Sequence, residues 1–167
     1  MAGSIKRSAA APQDFTLALA LADALPVLFF GASMILVARN VGSVLFGFGA
    51  AVITLAGCGK VLWKIFLGVW KKNVVWLNRY FIPCQITGLL LVLAALALHI
   101  PAMDGAQLLG QMLHFPSLLF FLVWLAGMAV MGWYRKNRFD NSLKANWTAQ
   151  LINTVTQGAL LLGILFL

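Results

Sequence analysis

Residues 15–38 read FTLALALADALPVLFFGASMILVA, and this stretch decides the fold. An apolar run of about 20 residues is long enough to cross the hydrocarbon core of a bilayer as a helix. This one contains a single ionisable side chain, Asp23, and a single helix breaker, Pro26. Runs of the same kind recur at residues 44–66, 77–100, 116–134 and 147–167. The expected fold class is therefore all-α: a polytopic integral membrane protein of five transmembrane helices. They form one domain, residues 14–167, after a polar tail at residues 1–13, and Asp14 is placed to cap the first helix. Lys6 and Arg7 precede the first run, and Ala20-Leu21-Ala22 has the small residues of a signal cleavage site. The apolar sequence continues to Ala38, however, so a retained span is expected rather than a cleaved leader.

Composition agrees with a membrane chain. Of the 167 residues, 62% are apolar and 10% charged, whereas about a quarter of a soluble domain is charged. Eleven of the twelve Lys and Arg residues fall on one side of the alternating spans, Arg39 being the exception. Short cytoplasmic loops are rich in Lys and Arg, so the N-terminus is expected in the cytoplasm and the C-terminus outside, in a plasma or bacterial inner membrane. Trp63, Trp70, Trp76, Trp133 and Trp147 are expected at the same cytoplasmic span ends, where indole rings anchor at headgroup level. The net charge of +8 thus reflects topology and an anionic cytoplasmic leaflet, not nucleic acid. Lys64, Lys71, Lys72, Arg79, Arg135, Lys136 and Arg138 are the residues expected to contact those headgroups.

Span two stays apolar past the thickness of a bilayer, which predicts a bend at Gly57-Cys58-Gly59 and an interfacial segment beyond it. Gly47-x-x-x-Ala51 offers a small-residue helix contact. Between Ala102 and Phe115, Leu108, Leu109, Met112 and Leu113 recur at helical spacing, which predicts a short surface-lying helix.

Few residues are equipped for chemistry. Asp23 lies about 12 Å beyond Phe15 at a rise of roughly 1.5 Å per residue, too deep to reach water easily. Such a carboxylate needs a partner or a wet cavity, and Lys60 is the natural partner if it turns inward, although its long side chain is expected rather to snorkel to the headgroups. In span five Asn146, Gln150, Asn153 and Gln157 share one helix face within roughly 60°. Lipid cannot satisfy their amides, so that face must meet other helices or water. Asp23, Lys60, Gln85, Gln150, Asn153 and Gln157 are the candidate ligand or ion pathway. Cys58 and Cys84 read as small buried apolar residues. His99, Asp104 and His114 are too loosely spaced for a metal site, and no cofactor is expected. The chain has no glutamate and no template for a nucleophile or a phosphate loop, so no catalytic residue is assigned. The leading functional expectation is a small transporter, channel or intramembrane binder of small molecules or lipids, with a polar cavity in the cytoplasmic half. Such a chain is expected as a homo-oligomer or beside a partner membrane protein. An assembly subunit of a larger complex is the alternative, and a lipid-modifying enzyme the third.

Overall fold

The computed structural model describes residues 16–99, 105–140 and 142–167, and these are all-helical. Seven helices follow in order: α1 (Leu17–Val41), α2 (Val44–Trp70), α3 (Val75–Arg79), α4 (Phe81–His99), α5 (Gly105–Leu113), α6 (Ser117–Asn137) and α7 (Leu143–Leu165). Counting α3 and α4 as one span, five segments are long and apolar enough to cross a membrane.

Local chemistry sets the helix ends. Asp14 lies outside the described residues, and the N-cap of α1 is Thr16, whose hydroxyl accepts from the Leu19 amide at 3.2 Å. Ser43 and Ser142 cap α2 and α7 in the same way, at 3.3 and 3.1 Å. Between α1 and α2 the chain turns at Gly42, whose φ of 63° is left-handed and open to a residue without Cβ. The α6–α7 turn is pinned by Asp140, which accepts from the Ser142 amide at 2.9 Å. Hydrogen bonds from Ser142 hold the Asp140 carboxyl below its usual pKa. Pro83 falls in the first turn of α4, where its missing amide costs no intrahelical bond.

The spans form a row. α4 packs on α2, α2 on α1, α1 on α7 and α7 on α6, while α5 lies against α6. No extended contact joins α4 to α6 or α7 among the described residues, so the row is an open crescent. Glycines set its closest crossings. A Cβ on Gly49 would stand 2.8 Å from the Gly88 carbonyl oxygen, so α2 and α4 touch backbone to backbone. Gly127 of α6 receives Thr156 of α7, and Gly57 of α2 receives Val27 of α1. The expected Gly47 contact is not among them, since nothing lies within 4 Å of a Cβ built there.

Two further expectations change. The segment beyond Gly57–Gly59 does not leave the bundle for the interface: α2 continues to Trp70, about 40 Å at 1.5 Å per residue. Its last turns are held in the bundle because Val61, Lys64 and Leu67 are buried and Gly68 lies against the backbone of Thr16. Span three is divided at Tyr80 into α3 and α4.

Burial is inverted relative to a water-soluble bundle. Leu21, Leu28, Ile35, Leu55, Leu90 and Leu122 are exposed, while Asp23, Lys64, Gln150, Ser33 and Thr156 are buried. An apolar surface this continuous is consistent with a membrane-embedded bundle. One apolar core joins Phe46, Ala50, Ile53, Val92 and Ala95 near the α1–α2 turn. A smaller one joins Leu19 and Leu67, flanked by Trp63 and Trp147, near the opposite end. The polar residues lie between them.

Candidate functional site

The register of α1 against α2 builds the site. Gly57 meets Val27 and Gly68 meets Thr16, so the two antiparallel helices place residues 60–64 of α2 beside Asp23 of α1. Around α2, at about 100° per residue, Gly57, Lys64 and Gly68 fall within about 40° of one another and face α1. Lys60 stands some 40° further round, toward α4. The partner of Asp23 is consequently Lys64, not Lys60, with Nζ 2.6 Å from Oδ2 and both side chains buried. Lys64 therefore does not take its expected place at the headgroups. Lys60 instead sets its ammonium 4.2 Å over the ring of Phe81, a cation–π contact with the first residue of α4.

Above the ion pair lies a cavity of about 470 Å³ on the concave side of the crescent. Asp23, Pro26, Val27 and Phe30 of α1 line it, with Ile53, Thr54, Gly57 and Lys60 of α2. Phe81, Gln85, Ile86 and Leu89 of α4 form a second wall, Asn153 and Gln157 of α7 a third, and Arg135 of α6 closes the lower end. Pro26 has no amide to give, so the carbonyl of Ala22 loses its intrahelical partner at the same depth. Thr54 is turned back onto its own helix, its hydroxyl 2.8 Å from the Ala50 carbonyl. Gln85 donates across the α2–α4 interface to the carbonyl of Ile53 at 3.2 Å.

Asp23, Lys60, Gln85, Asn153 and Gln157 thus converge. Gln150 does not: it is buried about two turns before Gln157 on α7, and its Oε1 has no hydrogen-bond partner. The Oε1 of Gln157 is also buried without a partner, and this residue does line the cavity. Asn146, the fourth member of the stripe, donates to the Ser142 carbonyl at 2.9 Å, a bond that fastens the start of α7.

No family matches. Neither a family model, nor a curated protein, nor a solved structure is similar to this chain. The site must be read from its own chemistry.

That chemistry is cationic. The expected headgroup residues Lys71, Lys72, Arg79, Lys136 and Arg138 are exposed at the same end of the bundle. Arg135 is exposed too, but it also lines the cavity, a role that the sequence reading missed. The signal was its position in the last turn of α6, where a cation is favoured by the helix dipole and faces the start of α7. Cys58 is exposed on the outside of α2, contrary to the expectation of burial, and Cys84 is half-buried in α4. Among the described residues no cluster of His, Cys and Asp is arranged to hold a metal.

Proposed function

We propose that the protein is a small-molecule binding or transport protein of the membrane, working through this cavity. In this reading the N-terminus is cytoplasmic and the cavity lies in the cytoplasmic half. The single observation that carries the reading is the convergence of Asp23, Lys60, Gln85, Asn153 and Gln157 on one space of about 470 Å³. Pockets of about 300–1,000 Å³ with mainly apolar walls and a few directed polar groups are the usual form of ligand sites. A dry helix-packing role for the same residues predicts the opposite: polar side chains closing on one another with no void, since interiors are close-packed. Gln157 lines the space, and its Oε1 is buried without a hydrogen-bond partner, unsatisfied by the helix contacts around it.

The test is thiol accessibility. Cys58 and Cys84 are replaced by Ala, then Asn153→Cys and Gln157→Cys are introduced singly, with Leu151→Cys as the lipid-facing control. A water-soluble charged thiol reagent applied to the cytoplasmic face should modify the first two and spare the third. Unreactive cysteines at both cavity positions in folded protein would discard the binding reading and leave the interaction-subunit role.

A further inference from the structure

The charges around the cavity do not balance. Asp23 lines the cavity and acts on Lys60 as an opposite charge, but it is already ion-paired with Lys64, so Lys60, Lys64 and Arg135 share a single carboxylate among the described residues. The other described acid, Asp140, is exposed in the α6–α7 turn and engaged by Ser142. Lys64 and Arg135 are both near enough to act on Lys60 as like charges. Positive charges gathered at membrane depth are costly unless an anion joins them. The quadrupole of Phe81 offsets only part of that cost.

The remaining walls are apolar. Val27, Phe30, Ile53, Ile86 and Leu89 continue the space away from the cations, and Ile86 and Leu89 are exposed at the edge of α4. Because α4 has no extended contact with α6 or α7, this edge is the open side of the crescent. The cavity is therefore amphipathic, cationic at one end and apolar toward the bilayer. We infer that its ligand is an acidic amphiphile, with a carboxylate or phosphate head between Lys60 and Arg135 and an apolar body against Phe30, Ile86 and Leu89. The inference rests on the proposed binding role and names its ligand class.

The experiment is equilibrium binding of radiolabelled oleate to the purified full chain in phosphatidylcholine nanodiscs. Unlabelled phosphatidic acid, oleyl alcohol and inorganic phosphate serve as competitors. Saturable binding of oleate is expected. Oleyl alcohol, the same chain without the charge, should fail to compete. Losing a charge-assisted hydrogen bond should weaken binding about tenfold in Lys60→Gln and in Arg135→Gln. Lys144→Gln, which removes an exposed charge away from the cavity, should bind as the parent does. Competition by phosphatidic acid but not by inorganic phosphate assigns the anion to a membrane lipid or fatty acid. Competition by inorganic phosphate as well assigns it to a soluble anion that uses the same cations, and removes the apolar body from the proposal. Oleyl alcohol competing as well as oleate, unchanged affinity in the Lys60→Gln, Arg135→Gln double variant, or no saturable oleate binding would each overturn the inference. The thiol experiment above tests the cavity without reference to charge. A reactive Asn153→Cys with charge-independent binding therefore refutes the ligand class alone, whereas an unreactive one refutes the binding role.

Discussion

Replacing Asp23 by Leu should cost this protein much of its stability, and the size of the loss follows from the geometry of one ion pair. Lys64 approaches Asp23 to 2.6 Å with both side chains buried. Two unit charges about 4 Å apart attract by roughly 4 kcal/mol at an effective dielectric constant of 20, while each ion loses several kcal/mol of hydration. The pair as a whole is thus close to balance, but its halves are not. Removal of one partner strands the other, at a cost of about 3–5 kcal/mol. Asp23→Asn keeps an oxygen that can accept from Lys64 and should cost less. Asp23→Leu combined with Lys64→Met removes both charges and should return to within about 1 kcal/mol of the parent, or exceed it. Reversible unfolding in mixed dodecylmaltoside and SDS, followed by far-UV circular dichroism, measures all four corners of this cycle. Additive losses in the double variant would show that the two side chains do not act as a pair. A parallel cycle of Asp23 with Lys60 should give a much smaller coupling, since Lys60 rests on Phe81 instead.

Other outcomes follow from single contacts. Gly88→Val forces side-chain atoms into Ile53 and the Gly49 carbonyl and should cost at least about 1–3 kcal/mol in the same assay, whereas Gly47→Ala meets nothing and should gain about 0.5–1 kcal/mol. Gln150→Leu removes a buried oxygen that has no partner and should be neutral or stabilising, since no hydrogen bond of that atom is lost; a loss above about 2 kcal/mol would reveal a bond there. In a Cys58→Ala, Cys84→Ala background, Asn137→Cys should be labelled only from the cytoplasmic face, by the distribution of Lys and Arg. Labelling from outside would reverse the proposed orientation.

Hydropathy alone disclosed the spans, because an apolar run of bilayer length has few other uses. The helix α5 (Gly105–Leu113) was equally legible, from leucines at helical spacing. Span three was less so: its division at Tyr80 is marked only by Pro83, which has no amide to bond the Arg79 carbonyl at the end of α3. The partner of Asp23 was misassigned because depth was considered and azimuth was not. Gly57 and Gly68 mark the face of α2 that approaches α1, and Lys64 lies between them on that face. Of the α7 stripe, Gln150, Asn153 and Gln157 are the expected pathway residues, yet Gln150 is packed away and only Asn153 and Gln157 reach the cavity. What separates them is the position of each neighbouring helix along α7, which is set by contacts such as Gly127 with Thr156 that span the chain. Arg135 was hidden by the same positive charge that made topology readable, since a basic residue at a span end already has an explanation.

The ion pair also bears on how the chain enters a membrane during synthesis. A lone carboxylate or ammonium carries a penalty of about 2.5–3.5 kcal/mol at the centre of an inserting helix, and a smaller one about a quarter of the way in, where Asp23 and Lys64 lie. Asp23 and Lys64 belong to α1 and α2, the first two spans made, joined only by the turn at Gly42. Each can neutralise the other before any later segment has left the ribosome. The two spans are thereby suited to leave the translocon together as a hairpin, and the later helices then add to a pair whose electrostatics are already settled.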